Sequence, residues 1–199
     1  MKLNEAIKGY LMEGDIRRHA KGSRYNKRLY LGRFEAWCQE QGCVMLEDVT
    51  PMLLRGYVAY VQELQLPPKQ DEKERFYQTS TVMNYRKVVR AFFRWCEQEG
   101  LLGDKANPAN RLPKLKAEEY LIPTFTPEHL QAMLDVCDVT ESLGYRNYTM
   151  LLVLMDTGIR VSELVGLKLE DVHEDYLTVF GKGSKQRQVG IGPTTVKAQ

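Results

Sequence analysis

Apolar residues recur at helical spacing through the first half of the chain and give way to strand-like alternation only near its end. Leu29, Tyr30, Phe34, Trp37 and Cys38 fall three and four residues apart, which predicts an amphipathic helix over 24–41, with Ser23 as its cap and Gly42 as its stop. Thr50-Pro51 supplies a capping hydroxyl and then proline at a first helical position. The helix it opens carries Leu53, Leu54, Tyr57, Val58, Val61 and Leu64 on one stripe. A third helix starts at Thr79 or Ser80, with Val82, Tyr85, Val88, Val89, Phe92, Phe93 and Cys96 facing inward and Gly100 ending it. Asn107-Pro108 predicts one short helical turn. Residues 1–22 show weak periodicity and several charges and read as a flexible leader. Residues 65–79, polar and holding Pro67-Pro68, read as a loop.

The pattern changes after residue 116. Two prolines and mixed charge within 113–123 mark a boundary, so the chain divides into a leader (1–22), a helical bundle (23–116), a linker (117–123) and a second segment (124–199). Thr126-Pro127 opens a short helix with Leu130, Met133 and Leu134 inward. A longer helix runs over 145–157, and its apolar run at 150–155 is expected at the centre of a core. Gly158 is its natural left-handed terminator, and Ser162 caps a short helix over 163–167. Residues 176–180 alternate and are rich in β-formers, 181–185 form a turn, and 186–191 pair back as a second strand. The fold class is therefore mainly α with a small β-hairpin.

Charge sharpens this division. The net charge of +2 hides an asymmetry: residues 1–116 hold 21 Lys and Arg against 14 Asp and Glu, a net of +7, whereas residues 117–199 hold 7 against 12, a net of −5. A basic helical half suits a polyanionic partner, although a solvated surface gives the same composition. Its basic helix faces supply the candidate DNA contacts Arg24, Lys27, Arg28, Arg86, Lys87 and Arg90. No apolar run approaches the ~20 residues of a membrane span, and the N-terminus has no apolar core of a secretion signal. No membrane partner is expected, and the cytoplasm is the expected location. The four cysteines form no CxxC pair and the three histidines are far apart, so neither a metal site nor a cofactor is expected.

The candidate chemistry lies in Asp156-Thr157-Gly158-Ile159-Arg160-Val161-Ser162-Glu163-Leu164 and in Gly181-Lys182-Gly183-Ser184-Lys185. Arg160 emerges two residues after a helix terminator and just before another helix, so its backbone is held from both sides. A guanidinium offers a planar fork matched to two phosphate oxygens, and phosphoryl transfer rewards fixed positive donors. Glu163, one turn on, orients Arg160 or moves a proton. An ordinary i,i+3 surface pair has the same spacing and is worth little. Lys182, between two glycines at a hairpin tip, reaches a DNA groove or a leaving oxygen, or else is a solvated turn lysine. Lys185 and Arg187 read as phosphate contacts or surface charges.

The run DTGIRVSELVGLKLEDV…YLTVFGKGSKQRQVGI closely resembles the tyrosine recombinase (phage integrase) family, whose pattern is T-G-hydrophobic-R-x-x-E-L followed by a hairpin with G-K-G-x-K-x-R. Upstream, FEAWCQEQG, LEDVTPMLLRGYV, STVMNYRKVVRAFFRWCEQEGLL and NPANRLPKLK fit the family's core-binding domain in order, so the resemblance covers roughly residues 22 to 192. It implies a SAM-like helical core-binding domain followed by part of an α/β catalytic domain, wrapped around double-stranded DNA. It implies strand cleavage by a tyrosine through a 3′-phosphotyrosyl link, reversed by a 5′-hydroxyl, with neither metal nor ATP. Full-length members act as tetramers. Arg160 matches the first phosphate-binding arginine, Glu163 the supporting acid, and Lys182 the lysine proposed to protonate the departing 5′-oxygen.

The family's H-x-x-R motif, its further His or Trp and its nucleophilic tyrosine follow the hairpin. None of the eleven tyrosines here follows Lys182, and the last is Tyr176. The chain reads as the first two-thirds of a recombinase and is expected to be inactive alone. The alternatives are a non-catalytic DNA-binding protein derived from a recombinase, and a helical interaction module without a DNA role.

Overall fold

A computed structural model describes residues 1–67, 74–116, 121–181 and 185–198. Among the described residues the chain is mainly helical with one two-stranded antiparallel sheet, and it divides into two compact units, Met1–Tyr120 and Leu121–Gln199.

Among its described residues the first unit is built on four helices: α1 (Leu3–Ile16), α2 (Lys21–Glu40), α3 (Pro51–Glu63) and α4 (Thr79–Gln98). The leader expected at residues 1–22 is instead largely helix. Leu3, Ala6, Ile7 and Tyr10 of α1 are buried against α2 and α4, because they sit at the three-and-four spacing of an amphipathic stripe. The Leu3 amide also donates to the Val44 carbonyl at 2.9 Å, tying the start of α1 to the segment after α2. Helix α2 begins at Lys21 with no side-chain cap, so Ser23 lies inside it. Its buried stripe is Leu31, Phe34, Trp37 and Cys38, while Leu29, expected inside, is exposed. Thr50 caps α3 as expected, its hydroxyl accepting from the Leu53 amide at 3.1 Å. The core is densely aromatic, with Phe34 edge-on to Tyr57 at a centroid separation of 5.0 Å and Phe92 against Phe93 at the same distance. Arg33 crosses from α2 and donates to the hydroxyls of Tyr77 and Tyr85 at 2.8 and 2.9 Å. A 3-10 turn at Pro108–Arg111 packs on α3 and α4, capped by Asn107 through the Ala109 amide. Cys38, Cys43 and Cys96 are buried in this core as free thiols.

The second unit holds α5 (Pro127–Asp135), α6 (Ser142–Thr157), α7 (Val161–Val165), β1 (Tyr176–Phe180), β2 (Gln186–Gly190) and α8 (Pro193–Lys197). Strands β1 and β2 pair in the register Tyr176 to Gly190 and Val179 to Arg187. Its small core is Val153, Ile159, Leu177, Val179 and Ile191. The apolar run at 150–155 was expected to be central, but only Val153 of α6 is buried. The other side of α6 borders an open apolar groove shared with Met133 and Val136 of the α5 end. Thr178 of β1 is buried as well, with its hydroxyl 3.3 Å from His173 Nε2. Among the described residues no helix is long and apolar enough to cross a membrane, and no cluster of three or more His, Cys, Asp or Glu is arranged to hold a metal ion.

Candidate functional site

In the second unit the site is organised by a helix end. Helix α6 stops at Gly158, which takes the left-handed conformation with φ 61° and ψ 20°. That reversal turns Ile159 into the core, where it is 5% exposed, and sends Arg160 outward. Arg160 then caps α7, and Glu163 at the third helical position folds back so that its Oε2 accepts from the Arg160 amide at 2.9 Å. Ser162, expected as this cap, lies within α7; Arg160 is the residue at the cap position and makes no side-chain cap hydrogen bond, so this helix end is closed by the Glu163 carboxylate alone.

The Glu163 carboxylate is 3% exposed and collects four N–H donors. Arg160 Nη1 reaches Oε1 at 3.0 Å, Arg187 Nη1 reaches the same oxygen at 2.9 Å, and Arg187 Nη2 reaches Oε2 at 2.9 Å. Together with the Arg160 amide these satisfy a charge that burial alone would make costly. They hold the carboxyl group down to about 2, with the Arg187 fork the largest cause and the Arg160 amide next. Arg187, expected as a phosphate contact or a surface charge, is therefore turned onto Glu163. Its position in β2 opposite Val179 brings it there, and a buried carboxylate competes for a bidentate fork better than water does. The Arg160 side chain, in contrast, remains 73% exposed and is held by one donor only. The site thus combines one buried anion with two guanidiniums and retains a net positive charge facing solvent.

The hairpin loop starts beside this cluster. A Cβ on Gly181 would lie 3.4 Å from both Glu163 Oε1 and Arg187 Nη1, and the Gly181 amide donates to the Lys185 carbonyl at 2.8 Å. Lys182 lies outside the described residues. Lys185 is exposed at the foot of β2. Across the start of the next helix, the Gly192 amide donates to the Asp156 carboxylate, which fastens the end of β2 to the end of α6. Tyr176, at the start of β1, stacks on His173 with ring centroids 4.2 Å apart.

In the first unit the basic residues do not act alike. Arg24 and Arg28 of α2 both pair with Asp15 of α1, at 3.1 and 2.6 Å. Lys27 turns the other way, over the Tyr10 ring and within 3.3 Å of His19 Nδ1. With Lys87 and Arg90 of α4 it lines a cleft of about 400 Å³ that also takes in Arg17, Arg94 and Trp95. Glu13 is the acidic residue in its wall, and it pairs with Arg17. Arg86, expected on the surface, is 8% exposed. Its Nη2 donates to the Leu112 carbonyl at 2.9 Å and pins the chain beyond the 3-10 turn to α4. Burial lowers its guanidinium from the usual value, and Arg90 adds to this. Its Nε, like the indole N–H of Trp95, has no hydrogen-bond partner among the described residues. Arg17 reaches the cleft from the end of α1, a helix whose sequence signal is the spacing of Leu3, Ala6, Ile7 and Tyr10.

A helical bundle followed by a unit in which an exposed arginine caps a short helix over a buried glutamate, next to a β-hairpin, is the architecture of an integrase-type recombinase. The chain belongs to the phage integrase family, the tyrosine recombinases, whose profile matches residues 123–198. It is 31% identical over 179 residues to tyrosine recombinase XerD of Pseudomonas aeruginosa, covering 89% of this chain and 55% of that protein. It is 32% identical over 171 residues to XerD of Chlorobaculum tepidum, covering 83% and 52%. The chain thus spans about half the length of these curated relatives. Among solved structures, a lambda integrase tetramer bound to a Holliday junction superposes with a TM-score of 0.66 at 15% identity, over 98% of this chain and 53% of that one. XerH site-specific recombinase bound to difH, in a pre-cleavage complex, gives 0.61 at 17% identity, over 96% and 53%. At these identities the likeness establishes the fold.

Proposed function

We propose that this chain serves site-specific DNA recombination, supplying DNA binding and the first part of the phosphate-activating apparatus. The observation that carries this reading is the Arg160 guanidinium, exposed to solvent at the start of α7 over a buried carboxylate. A scissile phosphate docked there meets two N–H donors whose backbone is already fixed by Gly158 on one side and α7 on the other, so little reorganisation is needed as charge shifts on the phosphorus centre. Glu163 supports Arg160, and Lys182 donates the proton to the departing 5′-oxygen, as the family resemblance implies. Lys87, Arg90 and Lys27 take phosphates of the DNA backbone, and Arg24, Arg28 and Lys185 add positive charge near the duplex; such contacts give affinity without reading sequence. The solved relatives bound to DNA support duplex DNA as the partner, and the lambda integrase tetramer supports a tetramer for the full-length protein.

The nucleophile is not supplied by these 199 residues. The last tyrosine, Tyr176, is stacked on His173 and precedes the hairpin loop. The 199-residue polypeptide is therefore expected to bind duplex DNA without cutting it. Incubation with a nicked suicide duplex checks both halves at once. The expected result is a gel shift that weakens steeply as salt rises and no detergent-resistant protein–DNA adduct. An adduct overturns the inactivity, and the absence of any shift at low salt overturns the DNA reading.

A further inference from the structure

Two cations share one carboxylate at the candidate site, and they do so unequally. Arg187 holds Glu163 through both terminal nitrogens, one on each oxygen, and its backbone is fixed in the β1–β2 ladder. The Arg160 side chain reaches the same carboxylate through a single nitrogen, at an oxygen already occupied by Arg187. Among the described residues no other carboxylate pairs with either guanidinium. Resting on the reading that Arg160 receives a phosphate, we infer that Arg187 is a positioning residue that saturates Glu163 and so keeps the Arg160 guanidinium available.

The argument is one of competition. A buried carboxylate three residues from an arginine at a helix start is a strong trap for that arginine, since the pair needs little chain ordering to close. With Arg187 in place, both oxygens of Glu163 already accept from it, and Oε2 also accepts from the Arg160 amide. The Arg160 side chain then gains little by staying and can turn to a phosphate at small cost. Without Arg187, the fork of Arg160 is free to close bidentately on Glu163. The pair becomes neutral, and an incoming anion must first break it. Arg187 thus acts on phosphate binding through Glu163 without touching the phosphate. Gly181, where the Lys182 loop starts, lies beside the same clamp: an added Cβ would stand 3.4 Å from both groups.

The test uses the 199-residue protein, inorganic phosphate as the probe, and the Arg160 backbone and side-chain N–H resonances as the readout. Wild-type protein is expected to show a saturable shift at Arg160 that Arg160→Gln abolishes. Arg187→Gln is expected to weaken phosphate binding roughly tenfold, as follows if Arg160 is free about a tenth of the time. The double variant Glu163→Gln, Arg187→Gln has no carboxylate to capture Arg160, and binding is expected to recover above that of Arg187→Gln. Should Arg187→Gln alone fail to fold, the pair Glu163→Gln and the double variant decides: equal affinities support the inference, because Arg187 then matters only through the carboxylate. A double variant that binds as weakly as Arg187→Gln, or more weakly than Glu163→Gln, makes Arg187 a direct phosphate ligand and overturns the inference. Equal binding by wild type and Arg187→Gln overturns it as well. No shift at Arg160 in wild-type protein overturns instead the reading of Arg160 as the phosphate site.

Discussion

Arg187 grips Glu163 with both terminal nitrogens, each 2.9 Å from a different carboxylate oxygen, and so joins strand β2 to the short helix α7. The carboxyl group falls from 4.5 to about 2 as a result, chiefly through the Arg187 fork. A depressed carboxyl contributes stability that is present above its unfolded value and is lost as pH falls through its folded value. Acid titration followed by circular dichroism is therefore expected to show the second unit losing stability between pH 4.5 and about 2. In Glu163→Gln this acid-dependent part is expected to shrink, and an unchanged acid profile counts against the ion pair as its source.

The two arginines expected side by side on α4 have different roles. Arg86→Ala removes a buried donor from the Leu112 carbonyl and is expected to cost about 1–3 kcal/mol in urea denaturation. Arg90→Ala, at the cleft, is expected to leave stability within about 0.5 kcal/mol and to weaken binding to all DNA sequences alike. It should also reduce the slope of log affinity against log salt by about 0.9. A loss confined to one DNA sequence contradicts the backbone-contact reading.

Helix α1 belongs to the bundle core. Ile7 is 3% exposed between α2 and α4, so Ile7→Ala is expected to destabilise the protein by about 2–5 kcal/mol. A detached leader gives a change near zero, which chemical denaturation distinguishes.

Gly158 sets the direction of Arg160. With φ at 61°, alanine there carries the left-handed penalty of about 1–2 kcal/mol. Gly158→Ala is expected to lower the thermal midpoint and also to shift the Arg160 amide resonance, because relief of the strain re-aims the segment that leads into α7. Stability loss with an unmoved Arg160 signal separates the two effects and rejects the second.

Local chemistry was legible along the chain where it needs only neighbours. The Thr50-Pro51, Thr126-Pro127 and Asn107-Pro108 starts, the Gly158 stop and both hairpin strands follow from capping, φ restriction and side-chain period, all of which act within a few residues. Arg160 and Glu163 were legible for the same reason, lying one turn apart. The placement of α1 was readable from its Leu3, Ala6, Ile7 and Tyr10 spacing but was obscured by the charges between them.

What the order of residues determined, then, was the helical bundle, the hairpin and the Arg160–Glu163 pair, since caps, glycine reversals and periodicity are short-range properties. Only the tertiary structure decided which charges remain available. Arg187 lies 24 residues from Glu163, Arg86 lies 26 from Leu112, and Asp15 takes Arg24 and Arg28 from a separate helix. A basic residue looks the same in any sequence window. Whether it faces a phosphate or a buried acceptor depends on what packing brings beside it, and on the cost of leaving a desolvated carboxylate or carbonyl without its donor.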